Sequence, residues 1–187
     1  MTDINMLEEK WRIVFGLIDI NKDGVVSIKD ADSCKSTFTD MCSDPARKAQ
    51  MVADLDKYWN NIVFIGESPD WSREVSQEQF INHFREVFTS DKAGTSLTVT
   101  DALRHLLAAA DIDGSGIFTF DKFFKFHQAF NLAHDIVVRT TFNLIGPAPD
   151  DTCTLKQVHD FYVELFVGED QNKFATLKNA YKAIGML

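Results

Sequence analysis

The stretch "DINKDGVVSIKD", Asp19 to Asp30, carries oxygen-bearing side chains at its first, third, fifth, ninth and twelfth positions, with glycine at the sixth. Hard divalent cations take carboxylate, amide, hydroxyl and carbonyl oxygens as ligands. A loop that wraps such an ion uses positions 1, 3, 5, 7 (a backbone carbonyl), 9 and 12, and glycine at 6 makes the turn. Here these are Asp19, Asn21, Asp23, the Val25 carbonyl, Ser27 and Asp30, with Gly24 at the turn. Glutamate at position 12 would offer two oxygens to calcium, and Asp30 is one methylene shorter. A single-oxygen reach moves the site toward six-coordination and lets magnesium compete, whereas inward movement of the exiting helix would let both oxygens bind. The expected cofactor is therefore Ca2+, with Mg2+ as a competitor.

A second stretch, "DIDGSGIFTFDK" (Asp111 to Lys122), begins in the same way. It offers Asp111, Asp113, Ser115, the Ile117 carbonyl and Thr119, with Gly116 at the turn. Lys122 then stands at the twelfth position, and an ammonium has no lone pair to give. Two outcomes stay open: a weak site closed by water, or a loop that keeps its shape without an ion.

These loops need helices on both sides. A shared register, an apolar pair followed by a hydroxyl and a helix-forming segment, recurs at "VVSIKDA" (25–31), "EVSQEQF" (74–80), "IFTFDKF" (117–123) and "TCTLKQV" (152–158). The hydroxyls are Ser27, Ser76, Thr119 and Thr154, and Asp30, Gln79 and Gln157 follow three of them at capping-box spacing. Val26, Val75, Phe118 and Cys153, each just before a hydroxyl, are expected in short extended segments that join the loops in pairs. Upstream, Leu7, Trp11, Val14, Phe15 and Ile18 share one helical face. Phe120, Phe123, Phe124, Phe126 and Phe130 crowd the helix after the third loop. Asp44-Pro45 opens a helix to about Asn61, and Thr98 with Asp101 is expected to open another that runs to Ala110. Gly146-Pro147-Ala148-Pro149 breaks the chain before the fourth repeat, and Gly168 ends the helix after it.

The fold expected is all-α, with eight or more helices in four helix–loop–helix units. They form two pairs, 1–94 and 95–187, divided near Gly94 and packed as one compact unit with short β-ribbons between paired loops. The second loop, Ser68 to Gln79, has Asp70 and Ser72 but Arg73 at the glycine position. The fourth, Gly146 to Gln157, has Ala148 at position 3 and two prolines. Both are expected to be structural partners without an ion.

This organisation, most specifically "DINKDGVVSIKD", resembles the EF-hand superfamily and within it the invertebrate sarcoplasmic calcium-binding proteins and calexcitins. Those families often carry aspartate at position 12 of the first loop. The silent second hand and Tyr58-Trp59 in the helix before it fit the resemblance. The third loop departs from the family pattern, which ends in glutamate. The resemblance implies a cytosolic calcium buffer or modest signalling switch. Two neighbouring families, the calcium-regulated photoproteins and the coelenterazine-binding proteins, keep the same skeleton around an apolar luciferin. Trp11, Trp59, Trp71, Tyr58, Tyr162, Tyr181 and the phenylalanines could line such a cavity, or simply form the core. Photoproteins use an active fourth loop, which is lost here.

The remaining composition narrows the alternatives. A chain of 187 residues with 16 phenylalanines can build a large aromatic core. Its net charge of −9 argues against nucleic acid or an anionic membrane as the main partner. "MTDINMLEEKW" has acids where a secretory signal needs bases, residue 2 is not glycine, and no apolar run could span a bilayer. A cytoplasmic protein without a membrane anchor is expected. Cys34, Cys42 and Cys153 read as reduced core thiols. His83, His105, His127, His134 and His159 are scattered without zinc spacing and are expected on surfaces or helices. No nucleophile motif, Walker loop or dinucleotide fingerprint points to an enzyme. A calcium sensor acting on a target protein is the further alternative, although Met6, Met41, Met51 and Met186 are too dispersed for a methionine-rich groove.

Overall fold

The structure is a computed structural model that describes residues 3–65 and 69–183. The N-terminal half runs α1 (Ile4–Ile18), β1 (Val25–Val26), α2 (Ile28–Asp40), α3 (Pro45–Ile62), β2 (Val75–Ser76) and α4 (Gln77–Ser90). It continues with α5 (Lys92–Ala110), β3 (Ile117–Thr119), α6 (Phe120–Gln128), α7 (Asp135–Ile145), β4 (Thr152–Thr154), α8 (Leu155–Val167) and α9 (Gln171–Ala183). Nine helices among the described residues, with two short ribbons, give the all-α architecture expected.

Local chemistry starts most of these helices. Ser27, Ser76 and Thr154 each begin a helix with a reciprocal capping box, closed by Asp30, Gln79 and Gln157. Asp44 caps α3, with Pro45 at its first position. β1 pairs antiparallel with β2 (Val26 opposite Val75), and β3 with β4 (Phe118 opposite Cys153). All four of those side chains are buried, so each ribbon fastens its two loops to the core as well as to each other.

One expected start is displaced. Thr98 and Asp101 lie inside α5, which begins at Lys92 with Asp91 as its cap. The Asp91 carboxylate accepts from Gly94 N–H (2.9 Å), while Thr98 Oγ1 donates back to Gly94 O (3.0 Å) and Asp101 pairs with Arg104. Spacing alone could not separate a cap from an intrahelical back-bond. Gly94 sits in the first turn of α5, where a Cβ would meet Asp91 Oδ2 at 2.2 Å. The chain turns at Asp91 itself, which ends α4 and starts α5.

The core runs through both halves. α1 buries Leu7, Trp11, Val14, Phe15 and Ile18 as expected, together with Met6 and Lys10. α5 packs against α3 and α8, and α1 against α4 and α8. Trp11 Nε1 donates to Phe166 O (3.0 Å), and Lys10 Nζ donates to the carbonyls of Glu164 (2.8 Å) and Gly168 (2.7 Å). Lys10 thus supplies a cation to the C-terminal end of α8, where carbonyls lack helical partners. α9 closes the fold on α7 through Phe174, Leu177, Tyr181 and a hydrogen bond between Tyr181 OH and Thr141 Oγ1 (2.8 Å).

The three cysteines are free and buried. Two of the helix histidines, His105 on α5 and His127 on α6, are buried. His105 Nδ1 meets Asp54 Oδ1 at 2.7 Å between α5 and α3. His127 Nδ1 donates to Phe123 O (2.9 Å), which leaves Nε2 to accept from Tyr162 OH (2.9 Å). Met186 and Ser68 lie outside the described residues.

Candidate metal centre

The first loop is aimed by the helix that precedes it. Asp19 ends α1, with its N–H still bonded to Phe15 O (2.9 Å), so its side chain projects over the loop. Gly24 takes φ +89°, a left-handed turn that suits glycine, and donates its N–H to Asp19 Oδ2 (3.1 Å). Asp23 N–H donates to Asn21 Oδ1 (2.9 Å), and Val25 N–H to Asp23 Oδ1 (3.1 Å). These bonds tie the side chains of positions 1, 3 and 5 to the loop's own backbone, and the chain then enters β1 and the Ser27 cap.

Two carboxylates decide what this loop can do. Asp19 is 6% exposed, and its Oδ1 is buried without a hydrogen-bond donor. A buried carboxylate oxygen left unpaired costs about 1–3 kcal/mol or more, so native proteins rarely leave one without a positive partner. That orphaned oxygen belongs to the first ligand position and fits a cation. Asp30, fully buried, behaves differently. Its Oδ1 accepts from the N–H groups of Ile20 (2.9 Å) and Asn21 (3.2 Å), and its Oδ2 from the N–H (2.9 Å) and hydroxyl (3.3 Å) of Ser27. Oδ1 ties the end of the loop to its beginning, and Oδ2 closes the cap at Ser27. Among the described residues no three His, Cys, Asp or Glu side chains converge into a ready metal cluster. In the first loop Asp30 is engaged by backbone N–H groups and the Ser27 hydroxyl. Ligation through Asp30 requires it to give up one of these hydrogen bonds.

The third loop has the same skeleton and a different occupant. Asp111 ends α5, and Gly116 (φ +69°) donates to Asp111 Oδ2 at 2.9 Å, as Gly24 does to Asp19. Lys122, at the twelfth position, folds inward. Its Nζ bonds to the carboxylates of Asp111 and Asp113, to Ser115 Oγ (3.1 Å) and to Ile117 O (2.9 Å). The ammonium, more than the two Ser115 contacts, holds the Asp113 carboxyl well below its usual range. Outside the loop, Arg47 on α3 donates to the Asp111 and Ala108 carbonyls, fastening the end of α5. Thr119 caps α6 through its hydroxyl. These residues therefore do not fit a metal ion while Lys122 is in place.

Among the described residues the second and fourth loops show no comparable cage. Asp70 turns on itself to accept from Ser72 N–H (2.9 Å) and hydroxyl (2.6 Å). In the fourth, Ala148 N–H donates to Thr152 O (2.8 Å) and Gln157 Nε2 to Gly146 O (3.2 Å). Leu155 N–H reaches across to Gly116 O (2.8 Å), so the fourth repeat braces the third loop.

Lys10, Arg47 and the His105–Asp54 pair were not singled out by sequence reasoning. Lys10 did carry a signal, since it sits beside Leu7, Trp11 and Val14 on the apolar face of α1. Arg47 and His105 meet their partners across helices and left none.

No family model matches the chain. It is 29% identical over 178 residues to a sarcoplasmic calcium-binding protein of Mizuhopecten yessoensis, covering 95% of this chain and 98% of that one. Its fold is similar to n-aequorin (TM-score 0.71, 12% identity, 96% of each chain). It is equally similar to the calcium-loaded apo form of the coelenterazine-binding protein of Renilla muelleri (TM-score 0.71, 14% identity, 97% of this chain and 98% of that one). The photoprotein clytin follows at TM-score 0.68 and 15% identity, with 95% of each chain covered. The chain thus has the four-unit EF-hand fold of these proteins and resembles the sarcoplasmic calcium-binding proteins in sequence along nearly its whole length.

Proposed function

We propose that this chain is a cytosolic calcium-binding protein of the sarcoplasmic type, a binding protein rather than an enzyme, that holds one ion in its first loop. The ligands are the side-chain oxygens of Asp19, Asn21 and Asp23, the Val25 carbonyl, Ser27 directly or through water, and Asp30. The ion supplies positive charge to a carboxylate that the protein leaves unpaired. The orphaned Asp19 Oδ1 carries this reading. The relative along 95% of the chain bears a calcium-binding name, which supports it. The binding loop lies between α1 and α2, in the first pair of units, before the chain turns at Asp91. Magnesium competes because Asp30 is short and already engaged. With a single site and, among the described residues, only scattered exposed large apolar side chains (Ile28, Leu97, Ile117, Ile136), a buffer or modest switch suits the chain better than a sensor with a groove for a target protein. The test is calorimetric titration of wild type and Asp19→Ala. One calcium per chain should be lost in the variant, and an unchanged number of bound ions would remove the assignment.

A luciferin-enclosing role would need a core cavity such as the one lined by Val14, Tyr58, Leu106, Phe126, His127 and Tyr162. Its volume of about 50 Å³ has room for a few waters and not for a multi-ring luciferin. Absence of coelenterazine binding to the purified protein is the expected result.

A further inference from the structure

We infer that Lys122 is the resident cation of the third loop: its ammonium takes the place of a divalent ion and keeps the C-terminal pair in an ion-filled shape whether or not calcium is present. The two loops supply an internal comparison. In the first, Asp19 Oδ1 is buried and unpaired; in the third, the equivalent Asp111 Oδ1 is bonded to Lys122 Nζ. The ammonium meets the side chains of positions 1, 3 and 5 and the carbonyl of position 7, the same set that a calcium loop presents to its ion. It is also well enclosed, with the Lys122 side chain 14% exposed and its Nζ 5.1 Å from the centre of the Phe118 ring. Lysine at the third residue of α6 cannot close a capping box, because it has no acceptor. Its side chain is therefore free to swing back into the loop, where Asp30 in the first loop accepts backbone N–H groups.

A tethered ammonium competes with free calcium at an effective concentration in the millimolar range or above. Calcium would have to expel it, and would then find no ligand at position 12. The third loop is consequently silent, and its filled state also holds the ribbon to the fourth repeat, through Phe118 opposite Cys153 and the Leu155 N–H bond to Gly116 O. Calcium-dependent change is confined to the first loop and the elements it touches. The inference does not depend on the first loop binding an ion.

Amide NMR during calcium titration of wild type, Lys122→Glu and Lys122→Met tests it. Gly24 and Gly116 each donate to the first carboxylate of their own loop and report the two loops separately. In wild type the Gly116 amide should keep one position in chelator and in millimolar calcium. In Lys122→Glu it should follow calcium, and calorimetry should count one more ion per chain than in wild type. Lys122→Met should bind at that loop at least tenfold more weakly than Lys122→Glu. A wild-type Gly116 amide that moves with calcium would overturn the inference, as would a folded Lys122→Glu protein that gains no ion. Failure of Gly24 to respond would count against the first-loop reading alone.

Discussion

Asp30 and Lys122 occupy the same position in two loops of one skeleton, and their side chains lead those loops to opposite states. Asp30 accepts four hydrogen bonds from the loop it closes, so an ion must compete with Ile20, Asn21 and Ser27 for its oxygens. Asp30→Glu adds a methylene and lets the carboxylate reach further into the loop. Its calcium-to-magnesium affinity ratio, measured by paired titrations, is expected to rise by tenfold or more, and an unchanged ratio would show that Asp30 does not select the ion. His127 offers a separate test at this scale. Burial lowers its pKa to about 4 from an ordinary value of about 6.5, so the folded state keeps it neutral. The unfolded chain takes up the proton first as pH falls. Stability is therefore complete above about pH 6.5 and declines between there and about 4, by on the order of 3 kcal/mol. Denaturant unfolding of His127→Gln should show a flatter pH dependence across that window than wild type.

The elements explain why the two loops look alike despite their different contents. Each is entered from the end of a helix, turned by a positive-φ glycine, fastened by a buried ribbon residue and left through a hydroxyl cap. Phe118→Ala removes a fully buried ring from the second ribbon and should cost about 3–5 kcal/mol in unfolding free energy by denaturant titration. A loss below about 1 kcal/mol would mean the ribbon does not anchor the third loop. Most of this layer was legible in the sequence, because capping boxes, Asp-Pro starts and apolar periodicity are local signals. Thr98 and Asp101 misled for the same reason: a hydroxyl and a carboxylate three apart look alike at a helix start and within one. The α5 start depended instead on Asp91 and on Gly94 leaving room for its carboxylate. The direction of the Lys122 side chain was not legible either. Residue type says only that lysine cannot close the capping box, and the four contacts it makes arise once the loop closes in three dimensions.

At the scale of the whole molecule, one core joins both halves, and its cross-links (Trp11 to Phe166, Lys10 to the end of α8, Arg47 to the end of α5) lie between helices distant in sequence. Arg47 and the pairing of His105 with Asp54 leave no periodic trace, whereas Lys10 shows on the apolar face of α1. They hold the four units in one arrangement, with the second and fourth repeats bracing the first and third. A net charge of −9, with Asp19 the one carboxylate among the described residues that has a buried unpaired oxygen, suits a protein that takes up a cation. The most direct measurement is the number of calcium ions bound per chain by isothermal titration calorimetry, for wild type and Asp19→Ala side by side. One ion in wild type and none in the variant is the result expected. Equal stoichiometry in the two proteins would contradict a first-loop site.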